Sequence, residues 1–596
     1  MRFPLISDVS QAKDITTVFQ GYNHTPSCKE GFFYDMKNIS TKDYPVLSNR
    51  LNRGISRTFT NPLGFCDKDD LVWVDVVNNV PTLYINNTAV TLSGVSLANS
   101  QKNIVKMGAF IVIFPDKVWY NTKDHSCGYI DASNVLSSAQ TTFTLVGTNG
   151  ANITWHDDEY YKTHAPQNGN YKMTTTDGKT SLSVYSSATG LWSSVPTTYM
   201  KISASNIGRG LKVGDGVKIS VNLAGISWDY AKNIFINVDE TNDNIRYSTF
   251  TVYDVANGYI TVPALLNENK TFTLPITAER KAPDMAYVCE CQNRLWGCST
   301  DGHELYASKL GDVTNWTTFA GISTDSWSAT VGSDGIFTGC INYLGYPIFF
   351  KEESMIKITV SGYGAHSYRE TVCRGVQEGS SNSLVQLNEV LYYKASNAVC
   401  VYDGSFPSEV SDALGVGRYT NAVGGSIDNR YYLNMLDESN HPVLFVYNAK
   451  YGLWTKEDSV RIKFFARHDD DLYLIANDNK LYSVMGTNLF GSTTKESDMD
   501  WMVESGNIGF QTADKKYVSR VNLRMSLDLT SYVSFLIQYD SNGQWINVFN
   551  MAGKGTQTFT IPVIPRRCDH FKYMLRGHGN VKLYSLTKTY EEGSDI

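Results

Sequence analysis

The sequence predicts an all-β chain built around a β-propeller, with one β domain inserted into it and another following it. Three observations carry this expectation: an aromatic- and glycine-rich composition, a hairpin pattern recurring about every 40 residues, and no long helical periodicity. Of 596 residues, 42% are hydrophobic, 19% charged and 12% aromatic, and 46 are glycine. Rings pack on pleated faces and glycine serves turns, so this composition favours strands. At ~150 residues per domain the chain divides into roughly two to four units.

The hairpins come first. An apolar strand, a short polar turn and a second strand ending near an aromatic residue recur along the chain. They begin at Leu71-Val-Trp73, Phe110-Ile-Val-Ile113, Arg294-Leu-Trp296, Ile348-Phe-Phe350, Leu391-Tyr-Tyr393, Tyr431-Tyr-Leu433 and Leu472-Tyr-Leu474. Successive starts lie 39, 184, 54, 43, 40 and 41 residues apart. A four-stranded propeller blade takes ~40–50 residues, so most intervals match one blade. The count predicts about seven blades, within a range of six to eight. Two β-sandwiches would also give strands at short spacing. The longer period, with turns such as Asp301-Gly302 and Asp403-Gly404 in the same phase, favours the propeller.

The 184-residue gap holds one blade plus an inserted β domain over 131–282. Its Ser133–Asn152 opening is rich in Ser, Thr and Asn, while Tyr199–Ser203 and Gly216–Val221 alternate as half-buried strands do. The propeller thus falls into two parts, 46–130 and 283–490. A polar linker over 488–500 leads to alternating strands, predicting a C-terminal β-sandwich over 500–596. Residues 1–45 are low in strand pattern. They are expected to form an extended arm, ordered only by packing on the propeller or on a neighbouring subunit.

Charge narrows the function classes. Lys and Arg total 52 against 59 Asp and Glu, a net charge of −7 with no basic stripe. That argues against a protein that grips nucleic acid through its phosphates. The longest apolar run, Gly108–Phe114, is far short of the ~18 residues that span a bilayer, and no leader is visible at the amino end. No membrane insertion by this chain is expected.

The residue pattern supports no catalytic, cofactor-binding or metal-binding assignment, and no enzyme activity is expected. His24 and Cys28 have an i, i+4 spacing, but Pro26 between them argues against a helix. Cys289, Cys291 and Cys298 cluster, with His303 the nearby candidate for a fourth zinc ligand; thiols packed between blades are the preferred reading. Glycoside cleavage needs two convergent carboxylates, and Asp67, Asp69, Asp70, Glu352, Glu353 and Asp469 to Asp471 are the candidates. All lie in expected turns, where acids are usually solvated. Ser299-Thr-Asp301-Gly302 lacks the glycine and tryptophan placement of a sialidase box.

Several strings resemble tailed-bacteriophage proteins. Gln292–Gly297 followed by Leu305-Tyr-Ala-Ser-Lys-Leu-Gly-Asp-Val-Thr-Asn-Trp316 is similar to a pattern of that group, as are Pro347–Ser354, Arg374-Gly375 and Val401–Gly404. The order resembles that of tail nozzle (tail tubular protein B) and head-completion "stabilisation" proteins of short-tailed phages. Phe33–Ser40, Tyr44–Leu47, Arg50 and Arg53 resemble the opening of such virion proteins, and Ile561–Phe571 with Glu592–Asp595 their end. The resemblance implies a virion structural protein, assembled as a homo-oligomeric ring, with a hexamer favoured, around the DNA ejection channel. The implied neighbours are the head–tail adaptor and tail or fibre proteins. DNA would pass without specific binding, and no catalytic residue carries over. The alternative is a carbohydrate-binding or carbohydrate-cleaving propeller used in host adsorption.

Overall fold

The structure, a computed structural model, describes residues 11–67, 69–176, 179–319, 321–362, 365–509 and 515–592. The first ten residues of the expected arm and the Gly593–Asp595 part of the carboxy-terminal match lie outside the described residues. The chain is almost entirely β, as its composition predicts.

Among the described residues, seven four-stranded antiparallel meanders follow the hairpin repeat. Sheet A comprises Pro62–Asp67, Leu71–Val77, Val80–Ile85 and Thr88–Val90; sheet B comprises Asn103–Met107, Phe110–Phe114, Val118–Asn121 and Cys127–Tyr129. Sheet C holds Met285–Cys291, Arg294–Ser299, Glu304–Ala307 and Trp327–Thr330; sheet D holds Gly339–Tyr343, Tyr346–Phe350, Ser354–Thr359 and Ser367–Val372. Sheet E holds Val385–Leu387, Val390–Lys394, Val399–Tyr402 and Ser408–Glu409; sheet F holds Thr420–Ile427, Arg430–Leu436, Pro442–Asn448 and Leu453–Lys456. Sheet G joins Ile462–His468, Asp471–Ala476 and Lys480–Ser483 to Gly54–Thr58 from the far end of the chain.

The second strand of each meander is the apolar string seen in the sequence, and burial explains why it stands out. Leu71 to Val76 and Asp471 to Ala476 are buried throughout, because both faces of the strand meet a neighbouring sheet. A hydrophobic core fills each interval between consecutive sheets. Leu63, Val74 and Ile113 pack between A and B, and Val105, Val112 and Leu295 between B and C. Ile427, Leu444 and Leu474 lie between F and G, and Phe65, Trp73 and Tyr473 bring G back against A.

His366 sits in the core between C and D, its ring 5.3 Å from that of Trp296 and 6.0 Å from that of Trp327. Burial, with a smaller push from the Arg294 guanidinium, draws its imidazole down to about 4. Below pH ~6.5 the unfolded chain takes up a proton that the folded chain refuses until about pH 4. Stability that is full above pH ~6.5 is therefore lost as pH falls through this window. Thermal melts of His366→Gln should show a shallower decline between pH 6.5 and 4.5 than the parent chain (window set by the ordinary imidazole value of ~6.5). Parallel slopes would assign the loss to another group.

The inserted strands run from Ala132 to Arg280. They form an eight-stranded sheet and a smaller four-stranded one. The Ser/Thr-rich opening is mostly one 15-residue strand, Ala132–Val146. Its first half lies largely at the surface, while Thr141, Phe143 and Leu145 in its second half are buried.

The largest correction concerns the two ends. The segment expected to be an arm low in strands contributes Gln11–Thr16, Gly21–Tyr22, Phe32–Lys37 and Ile39–Ser40. Gly21–Tyr22 pairs with sheet F, and Phe32–Lys37 pairs with Asp500–Ser505, so one ten-stranded sheet runs from sheet F into the carboxy-terminal sandwich. Gln11–Thr16 and Leu47–Asn49 pair with Val581–Glu592 in the facing sheet. Hence Leu47–Asn49, placed by sequence in the first propeller part, belongs to the sandwich, and the sandwich is not confined to 500–596. Phe19, Phe33, Met36 and Ile39 share one core with Leu433 and Phe445 of sheet F and Val503 and Leu575 of the sandwich. Non-local pairing of this kind leaves no local periodicity to read.

Candidate functional site

The first strands of the meanders converge, and two cavities open among them. The wider, about 540 Å³, is lined by Asp67 of sheet A, Asn103 and Lys106 of B, Glu290 of C, Asn342 of D and Gln386 of E. The narrower, about 380 Å³, lies toward the opposite strand ends and is lined by Arg461 and Lys463 of G, with Gln101, Asn382 and Asn421. Both fall in the ~300–1,000 Å³ range of small-molecule sites.

Of the acids singled out by sequence, the structure brings only some into company. Asp67 Oδ2 lies 3.4 Å from His468 Nδ1, and His468 Nε2 lies 3.7 Å from Asp469. Burial raises the Asp67 carboxyl above its usual range, with His468 opposing the shift. Asp69 pairs with Lys106 at 3.3 Å, and Asp70 accepts from Asn86 at 2.5 Å. Asp471 is buried and structural: it accepts from the Leu472 and Met485 amides and from the Ser483 hydroxyl. Glu352 accepts from the Glu378 amide and Ser396, and the Glu353 carbonyl accepts from the Cys373 amide.

The histidine and cysteine candidates are occupied in packing. His24 stacks on Tyr34 at 4.1 Å and shares a hydrogen bond with its carbonyl at 2.9 Å, while Cys28 packs under Gly506. Cys291 and Cys298 lie fully buried between C and D, with Cys289 and Cys340 against them, and burial pushes the Cys298 thiol up. His303 instead closes the Ser299–Gly302 turn through its backbone amide. Among the described residues, no group of three or more His, Cys, Asp or Glu could hold a metal ion, and no helix is long and apolar enough to cross a membrane.

Two of the strings that carry the phage resemblance form joints. Arg294 is buried, and its guanidinium donates to the carbonyls of Ser308 (2.8 Å), Asp325 (2.6 Å) and Ser323 (2.5 Å). This gathers the loop that holds Gly311-Asp-Val-Thr-Asn-Trp316. Asp312 caps that loop's turn by accepting from the Thr314 amide and hydroxyl. Asn315 and Thr318 then donate to the Gly214 carbonyl, and Thr317 to that of Gly216, which fastens the inserted domain to sheet C. A Cβ on Gly216 would lie 2.3 Å from the Thr317 carbonyl oxygen. Gly216→Val should therefore prise the joint open, costing on the order of 2 kcal/mol and exposing the 214–216 turn to limited proteolysis. Unchanged cleavage and melting would remove this joint from the account.

A second joint lies where the amino-terminal segment enters sheet G. Arg53, 2% exposed, contacts Asp458 at 2.7 Å and Glu457 at 2.9 Å, and Arg50 contacts Glu496 at 2.7 Å and Asp458 at 3.3 Å. Burial works against charge at Asp458, but Arg53 and Arg50 outweigh it and hold its carboxyl below the usual range. At Glu457 burial wins, and its carboxyl is raised. Glu496 lies in the stretch that the sequence marked as a linker. No short-range pattern signals such a network, since its arginines and its acids lie more than 400 residues apart.

No family model matches the chain, and no curated protein matches it. Similar solved structures include Kluyvelomyces marxianus Hsv2, at TM-score 0.24 and 8% identity over 51% of this chain and 91% of that one. BBS1N in complex with ARL6DN gives TM-score 0.21 and 10% identity over 73% and 95%. Trypanosoma rangeli sialidase gives 0.16 and 9% over 76% and 95%. Likenesses this slight bear on neither the site nor the function.

Proposed function

We propose that the chain is a structural virion protein of a tailed bacteriophage, with sheets A to G closing as a seven-bladed propeller. In this reading it assembles as a homomeric ring, a hexamer by family resemblance, in the tail or neck around the DNA channel. Closure is supported by the succession of cores from A through G and back to A, and by Gly54–Thr58 completing sheet G. The observation that carries the functional reading is the use made of the resembling residues. Arg294, Asn315, Arg50 and Arg53 tie domains and chain ends together, which makes the chain the rigid unit that a ring subunit requires. The net charge of −7 suits a channel wall that repels phosphate and lets DNA slide.

Negative-stain images of the purified chain test this directly: rings with a central hole are expected, with no duplex binding above background at about 0.15 M salt. Monomers, or tight salt-sensitive duplex binding, would overturn it. The carbohydrate reading retains one supporting observation, the 540 Å³ cavity with Asp67 and Glu290 on its wall. Monomers that retain glycans on an array would favour it over the ring.

A further inference from the structure

We propose that the narrower cavity binds a phosphorylated small molecule, its phosphoryl group held by Arg461 and Lys463. The proposal goes beyond the ring reading and does not depend on it.

Arg53 and Arg280, both deeply buried, are neutralised by carboxylates, Arg280 by Asp215 at 2.5 Å. The two cations of this cavity are bonded to neutral acceptors instead. Arg461 donates from Nη1 to Asn434 Oδ1 at 3.1 Å and from Nη2 to the Asn421 carbonyl at 2.9 Å. Lys463 Nζ donates to Asn479 Oδ1 at 2.8 Å. Among the described residues no carboxylate lines the cavity. Two cationic residues therefore line a half-open cavity on a chain whose net charge is −7. Burial draws the Arg461 guanidinium below its ordinary range, a cost that an anion would relieve.

The wall is also shaped at some expense. Asn421 lies in a bulge between Thr420 and Val423 with φ 50°, a left-handed backbone that turns its carbonyl onto Arg461. Facing it is Gly379 at φ 75°, where a Cβ would stand 2.6 Å from Asn421 Oδ1. A side chain at 379 would push the Asn421 amide from its place on this wall.

The ligand class follows from the lining. Two cations match the roughly two negative charges of a phosphomonoester near neutral pH better than a single carboxylate. Gln101 and Asn382 supply amide groups for hydroxyls, and Leu63 and Phe464 an apolar side. A cavity of about 380 Å³ has room for a body larger than phosphate alone.

Calorimetric titration of the full chain with ribose 5-phosphate, inorganic phosphate and ribose, at one ionic strength, tests the proposal. Ribose 5-phosphate should bind, inorganic phosphate more weakly, and ribose not measurably. Lys463→Gln should weaken ribose 5-phosphate at least tenfold, while Lys123→Gln, on an exposed turn, leaves it unchanged. Arg461→Gln should abolish binding; because Arg461 also braces sheet F, Asn382→Leu gives an independent block of the same space. Equal heats for ribose 5-phosphate and ribose would overturn the proposal, as would wild-type affinity in both Lys463→Gln and Asn382→Leu. Binding of inorganic phosphate without ribose 5-phosphate would overturn the assignment of an organic ester.

Discussion

Arg53→Met should lower the free energy of unfolding by about 3–5 kcal/mol, the cost of leaving buried carboxylates without their counter-charge. Glu457 and Asp458 are 3% and 8% exposed, so water cannot take the guanidinium's place. Arg50 would remain, yet it reaches Glu457 only at 3.9 Å and is already shared with Glu496. Glu496→Gln, on the more exposed member of the network, should cost about 1 kcal/mol or less. Urea titrations of the three proteins measure both. A cost below about 1 kcal/mol for Arg53→Met would mean that the network contributes little to holding the chain ends together.

Removing residues 1–45 should prevent folding rather than merely loosen assembly. The deletion takes away Phe19, Tyr22, Phe33, Met36 and Ile39, each at most 4% exposed. At ~1.5–3 kcal/mol per buried side chain, their loss is on the order of 10 kcal/mol, comparable with the ~5–15 kcal/mol that holds a typical domain together. It also strips Asp500–Ser505 of its partner strand and opens the core that sheet F shares with the sandwich. The truncated chain is expected to be insoluble, or to lose its cooperative melt by circular dichroism. A soluble truncation melting within about 2 °C of the full chain, a shift of order 1 kcal/mol or less for a unit of this size, would count against this view of the segment.

The parts of this architecture legible in the sequence are those where one strand carries its own signal. Leu71–Val77, Arg430–Leu436 and Asp471–Ala476 are buried along nearly their whole length, so they read as unbroken apolar strings whatever their partners. First and outer strands were not legible on the same terms. Trp327–Thr330 and Ser367–Val372 lie half in solvent, and their polar residues look like turn. Ala132–Val146 carries no strand signal of its own, because strand formation there depends on pairing with Lys270–Arg280, more than a hundred residues on. The acids of the candidate site were visible as residues but not as neighbours. Asp67 and His468 meet only because sheet G packs against sheet A. The narrower cavity is the extreme case, since its wall takes residues from five stretches that share no motif.

Sheet G has a bearing on how the chain is made in a cell. Gly54–Thr58 waits for Lys480–Ser483, and Phe32–Lys37 waits for Asp500–Ser505, each synthesised more than four hundred residues later. At ~5–20 residues per second, a ribosome keeps those early strands unpaired for roughly 20–90 s. Over that interval Phe33, Met36 and the Gly54–Thr58 edge have no partner, and any second nascent chain nearby offers the same complementary strands. Crowded polysomes, in which several chains grow side by side, are thus where exchange of strands between copies would begin. Slowing initiation on the message, rather than stabilising the finished protein, should raise the soluble yield.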